Sequence, residues 1–315
     1  MHAQLDCHGL TDVGLKRKEN QDQFLIAALS KSLRVHQSSL TISDEDLLHS
    51  GSRGHVLIVA DGMGGHAGGR RASQLAVETM ARSLLDGTPW LADLAAEGNS
   101  IEPQKQTLIQ ALDHCQATIE QAGLAVPADA EMGTTFTMAY LLWPQCYLLH
   151  VGDSRAYLCR TGALKQLTHD QTVAARLREA GQLSAESAKH SIFAHSLWSY
   201  LGVDASSLKP QVTRVELQVG DVLLLCSDGL SNVVPDEEIL DHLLRAGESK
   251  VACEVLIQSA IDQGAPDNVT AIVARFCDAP NTPGGVTTAH AAVPDPEETQ
   301  EFPAQKQAVV AQPAP

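Results

Sequence analysis

The chain is poor in aromatics, at 4% of 315 residues, and poor in basic residues, with 22 Lys and Arg against 38 Asp and Glu. The scarcity of rings leaves the core to Leu, Val, Ile and Ala, which a hydrophobic share of 44% can supply. A formal charge of −16 argues against a nucleic-acid partner, because such a protein needs a basic face to displace counterions. Most of the acidic surplus reads as solubility, with a minority of carboxylates available to hold cations. The seven cysteines form no CxxC pair and are odd in number, which excludes a simple disulfide framework and fits a reducing compartment. No apolar run approaches the roughly 18 residues that span a membrane, and the first residues lack the basic-then-apolar pattern of a signal peptide. The expectation is a soluble, cytoplasmic protein.

The sequence is organised around His55-Val-Leu-Ile-Val-Ala-Asp61-Gly-Met-Gly-Gly-His66, an apolar strand that stops on a carboxylate. Gly62, Gly64 and Gly65 allow a tight turn and a close approach to the main chain. A helical pattern then runs from Arg70 to about residue 86, and a second from Gln104 to Ala122. Residues 30–54 read as a long polar excursion in which Ser43 could cap a helical turn. Strands are expected over Thr134–Leu142, Gln145–Val151 and Arg155–Cys159, joined by turns short enough for antiparallel hairpins. His150 and Thr137, inside two of these strands, read as packed or hydrogen-bonded side chains. Residues 170–205 form short helices and a mixed polar stretch, read as a flap whose His190 and His195 lack metal-type spacing. Strands over Gln211–Gln218, Val222–Cys226 and Val269–Phe276 bracket helices at about 236–245 and 250–263. From residue 279 the chain turns to Pro, Ala, Thr, Gln and Glu, giving an expected single domain over 1–278 and a disordered tail over 279–315.

Asp61, Asp153, Asp228 and Asp267 each stand at one end of an apolar strand, and Asp22 borders another. One such Asp is ordinarily a turn former; four in one domain can converge if the strands lie side by side. Gathered carboxylates raise one another's pKa or recruit cations, and all-oxygen ligation selects Mg²⁺ or Mn²⁺ over Zn²⁺. Lys16-Arg17-Lys18 reads equally as a solvated face or as an Arg fork for a phosphate. The glycines after strand 55–60 also approximate a dinucleotide fingerprint, but no second buried parallel strand follows Leu85 in the way a βαβ unit requires.

Six motifs occur in order: Arg17-x-x-Asn20-x-Asp22, Asp61-Gly-Met-Gly-Gly-His66, Met132-Gly-Thr-Thr135, Gly152-Asp-Ser-Arg155, Ser227-Asp-Gly229 and Asp267-Asn-Val-Thr270. Together they resemble the metal-dependent serine/threonine phosphatases of the PPM, or type 2C, family in its bacterial form. The resemblance implies an α+β, four-layer α-β-β-α sandwich of two antiparallel sheets flanked by helices, with a small helical flap. It implies two Mn²⁺ or Mg²⁺ ions and a third, weaker site. Asp61 would bridge both ions, Gly62 would ligate one through its carbonyl, and Asp228 and Asp267 would hold the second. Asp153 with Asp228 would build the third site, and Arg17 would anchor phosphate. Gln21 stands where many members carry Glu, leaving Gln21 and Asp22 as outer-shell candidates, and Met63 replaces the His some members use as general acid. The implied activity is hydrolysis of phosphoserine and phosphothreonine by a hydroxide bridging two metals. The implied partners are phosphoproteins modified by serine/threonine kinases, and the enzyme is expected to be a monomer. A non-catalytic signalling adaptor of the same fold is the alternative.

Overall fold

The computed structural model describes residues 3–30, 32–34, 47–49, 54–64, 67–86, 101–126, 130–202, 204 and 206–278. The expected tail, His66 and the helical turn at Ser43 lie outside them. The described residues belong to one unit, Met1–Ala279.

Among the described residues fourteen strands run in chain order: β1 (Ala3–Asp12), β2 (Gln23–Leu29), β3 (Ser32–Arg34), β4 (Leu47–His49), β5 (Gly54–Ala60), β6 (Gly62–Met63), β7 (Gly133–Thr134), β8 (Phe136–Leu142), β9 (Gln145–Val151), β10 (Arg155–Arg160), β11 (Ala163–Gln166), β12 (Gln211–Glu216), β13 (Val222–Cys226) and β14 (Val269–Asp278). The helices are α1 (Ala67–Asp86), α2 (Glu102–Ala125), α3 (Val173–Glu179), α4 (Ala185–Lys189), α5 (Asp228–Ser231), α6 (Asp236–Arg245) and α7 (Ser249–Asp262). One five-stranded sheet has the order β1-β14-β13-β10-β11 and the other β12-β9-β8-β5-β2. Every ladder among the described residues is antiparallel, which removes the βαβ alternative for β5 and α1.

Strand periodicity assigns the layers. On β5, Leu57 and Val59 face the other sheet and, with Leu148 of their own sheet, join Leu223, Leu225 and Ile272 across the interface. Val56, Ile58 and Ala60, on the opposite face, pack with Ala72, Ala76 and Met80 of α1 and Leu108, Leu112 and Cys115 of α2. On β13, Leu224 and Cys226 pack outward against Ile239 and Leu243 of α6 and Ala252, Leu256 and Ala260 of α7. Central strands buried on both faces read as unbroken apolar runs for this reason. The result is the four-layer α-β-β-α sandwich that the resemblance implied.

The residues 173–179 and 185–189 form the flap helices, each begun by a hydroxyl cap: Thr172 accepts from the Ala175 N–H and Ser184 from the Ser187 N–H. The flap is stitched to the body where Leu201 and Thr134 exchange two backbone hydrogen bonds of 2.9 Å. Four strands carry little sequence signal. β1 is half-buried along its length, β11 is a four-residue edge, and the polar 30–54 excursion contains the short β3–β4 pair.

Candidate metal centre

β5 delivers Asp61 to the end of the inner sheet, and two threonines fix its backbone. The Asp61 N–H donates to Thr135 Oγ1 at 3.0 Å. The Asp61 carbonyl accepts from the Thr135 N–H and from Thr134 Oγ1, both at 2.9 Å. Thr135 Oγ1 also lies 2.7 Å from Ser154 Oγ, which ties the Asp61 turn to the β9–β10 turn carrying Asp153. Gly62 is there for close packing: a Cβ would fall 2.1 Å from the Gly69 carbonyl oxygen and 2.8 Å from that of Gln21. The first turn of α1 therefore sits directly on the loop.

Asp22 joins the ends of both sheets. Its Oδ2 accepts from Ser227 Oγ at 2.7 Å and Thr270 Oγ1 at 2.6 Å, while Oδ1 is buried with no hydrogen-bond partner. Asp228 opens α5; its Oδ2 accepts from Asn232 Nδ2 at 3.0 Å, and its Oδ1 is likewise buried and unpartnered. Asp267 precedes β14 and is held differently. Arg17 grips it with two parallel bonds, Nε to Oδ1 at 2.7 Å and a terminal nitrogen to Oδ2 at 2.6 Å. Asn268 clasps the loop that carries Arg17, accepting from the Gln21 N–H at 2.8 Å and donating to the carbonyls of Val13 at 2.9 Å and Glu19 at 3.0 Å.

These carboxylates feel one another. Burial first, then the charges of Asp22, Asp228, Asp153 and Asp267, pushes the Asp61 carboxyl well above the usual carboxylate range. Burial and the Asp228 charge do the same for Asp153, and burial and the Asp267 charge raise Asp228. Asp22 is pushed up to about 6 by burial, against the pull of its two hydroxyl donors. Among the described residues no three His, Cys, Asp or Glu side chains are already drawn tightly enough to enclose an ion. Divalent cations fit the donor set: hard oxygens, two of them orphaned in the interior, with a surplus of negative charge.

All of the expected positions lie on this edge or its approach. Gln21 Oε1 would meet a Cβ placed on Gly69 at 2.8 Å, so its side chain lies against the start of α1. One neighbour was not expected. His195, from the flap, brings Nδ1 to 3.9 Å from Asp228 Oδ2 and 3.3 Å from Asn232 Nδ2. Its five-residue separation from His190 carried no signal of this, since the flap's path places it there. His150 is a packed residue, with Nδ1 2.9 Å from Thr137 Oγ1 and Nε2 3.1 Å from the His169 carbonyl oxygen.

Residues 34–258 match the family model described as protein phosphatase 2C. The serine/threonine protein phosphatase PstP of Mycobacterium tuberculosis is 36% identical over 250 residues, which is 79% of this chain and 45% of PstP. The chain thus spans about half the length of that relative. The serine/threonine phosphatase stp of Listeria monocytogenes is 34% identical over 218 residues, covering 69% of this chain and 83% of stp. Among solved structures, M. tuberculosis PstP superimposes with a TM-score of 0.68 at 32% identity, over 87% of this chain and 99% of that one. The PstP catalytic domain in complex with two manganese ions gives a TM-score of 0.66 at 33% identity, over 87% and 99% of the two chains.

Proposed function

This chain belongs to the protein phosphatase 2C family, and from that premise we propose that it is a metal-dependent phosphatase acting on phosphoserine and phosphothreonine in proteins. The observation that carries the reading is the convergence of Asp22, Asp61, Asp153, Asp228 and Asp267 at one sheet edge, with Arg17 bound to Asp267 beside them. Asp61 would bridge two ions, with the Gly62 carbonyl on one and Asp228 and Asp267 on the other; Asp153 and Asp228 would form a third, weaker site. Gln21 and Asp22 would act through water or by steadying the ligands. Bound Mn²⁺ or Mg²⁺ would supply positive charge and an acidified water for in-line attack on phosphorus.

The chain's own residues perform the rest. Thr134 and Thr135 fix the Asp61 backbone, so the residue is already placed at the sheet edge before charge develops. Arg17 is 55% exposed at its side chain and can swing from Asp267 to the phosphoryl oxygens. Asp267 is freed for a cation by the same movement. Among the described residues no helix is long and apolar enough to cross a membrane. In this reading residues 1–278 form the catalytic domain, acting as a monomer in the cytoplasm on the products of serine/threonine kinases.

The test is phosphate release from a phosphothreonine peptide with and without Mn²⁺. The wild type is expected to turn over only with metal, and Asp61→Asn to lose at least about 100-fold in kcat while keeping its circular dichroism spectrum. Calorimetric Mn²⁺ binding without any release would instead mark a signalling adaptor.

A further inference from the structure

The run Lys16-Arg17-Lys18 has only its middle residue in use at the carboxylate cluster. Lys18 faces a different place, a cavity of about 380 Å³ whose wall also includes Arg70, Asp22, Asn20, Thr11 and Glu19. The cavity opens beside β1 and β2, which form the edges of their respective sheets. Lys18 and Arg70 are both exposed, and among the described residues neither side chain has an ion-pair or hydrogen-bond partner. Arg17, Arg155, Arg160 and Arg245 have each found an aspartate, whereas Lys18 and Arg70 stand over the cavity without one. Glu19 is the one opposing charge on the wall apart from Asp22.

Asp22 connects this cavity to the reaction centre. It forms part of the cavity wall, yet its Oδ2 is bound to Ser227, the neighbour of Asp228, and to Thr270. Its charge also raises the pKa of Asp61. One buried side chain therefore separates the two places, and an extended peptide advances about 3.3 Å per residue. A substrate held by its phosphoryl group at the cluster, with its chain running past Asp22, would carry neighbouring side chains toward Lys18 and Arg70.

We infer that Lys18 and Arg70 form a specificity subsite for a second anion on the phosphoprotein, a carboxylate or another phosphate close to the residue being hydrolysed. The inference rests on the phosphatase reading for its substrate. Two exposed cations over an open cavity suit a flexible anionic side chain, and they offset the repulsion that a chain of net charge −16 exerts on acidic substrates.

Three phosphothreonine peptides test it: one neutral around the phosphothreonine, one with Asp two positions away, and one with phosphoserine there. For the wild type the kcat/KM ratio of either anionic peptide to the neutral one is expected to reach about 3- to 10-fold, mostly through KM, and to shrink at high salt. In the Lys18→Glu/Arg70→Glu double variant that ratio should fall to one or below. The aspartate and phosphoserine arms show which anion the subsite prefers. A wild type without preference, or a double variant that keeps it, overturns the inference. If no peptide is hydrolysed, the phosphatase reading fails separately; fluorescence anisotropy with the non-hydrolysable phosphonate versions of the three peptides then decides the subsite by the same ratios.

Discussion

Asp61 is costly to the fold in its charged form. A carboxyl whose folded-state pKa lies above its unfolded value is favoured at low pH, and that stability is lost as pH rises through the folded pKa. At neutral pH without metal, Asp61 therefore opposes folding, because burial and four neighbouring aspartates disfavour its charge. Asp61→Asn keeps the shape and removes the charge. The metal-free variant is expected to be more stable than the metal-free wild type by about 1–2 kcal/mol, a pattern common where function requires strain. Thermal melts in EDTA at pH 7.5 check it, and a lower melting temperature for the variant would mean that neighbouring donors already satisfy the carboxylate. The sequence disclosed this residue readily, since an Asp at the end of an apolar strand followed by Gly is a local pattern. It could not disclose that Arg17 is paired with Asp267, because those residues meet only when Asn268 pins the 13–21 loop to the start of β14. His195 was hidden for a similar reason.

Elements were legible in proportion to their burial. β5, β8, β9, β13 and β14 are buried on both faces and announce themselves as apolar runs of the right length. β1 and β11 lie at the sheet edges, where half-burial breaks the pattern, and β1 becomes recognisable only through its ten-residue register with β14. The β8–β9 pair holds a further consequence. Thr137 and His150 are direct partners across it, and burial pulls the imidazole down to about 4. Nε2 faces a carbonyl and so carries the proton, leaving Nδ1 to accept from Thr137. Unfolding releases this neutral ring to its ordinary pKa near 6.5, so between about pH 6.5 and 4 the unfolded state binds more protons and stability falls with pH. The loss amounts to about 3 kcal/mol. The raised aspartates act with the opposite sign, so the contrast with a variant isolates the effect. Urea titrations from pH 7 to 4.5 should show His150→Gln weaker at pH 7 yet with a flatter acid slope; parallel slopes would place the proton uptake elsewhere.

At the scale of the whole molecule, the two sheets present their strand ends to one place, and the repulsion gathered there is shared by everything that supports it. Asp22 is bonded to Ser227 and Thr270 at the ends of β13 and β14, Asp61 to the start of β8, and Asp153 is wired to Asp61 through Ser154 and Thr135. A cation bound at that edge would relieve strain in both sheets together and also in the first turn of α1 seated on Gly62. Binding to the folded state alone stabilises by mass action, about 2.7 kcal/mol when the free ion stands at 100 times its dissociation constant. For a domain of this size that corresponds to roughly 5–10 °C. Scanning calorimetry with increasing Mn²⁺ is therefore expected to show one transition moving upward as a unit, and EDTA to return it. Asp61→Asn should begin from a higher metal-free midpoint and respond far less to Mn²⁺, so the two curves cross as metal is added. If both proteins shifted equally, the cation would be binding elsewhere on this acidic surface, and the convergence of carboxylates at the sheet edge would have another purpose.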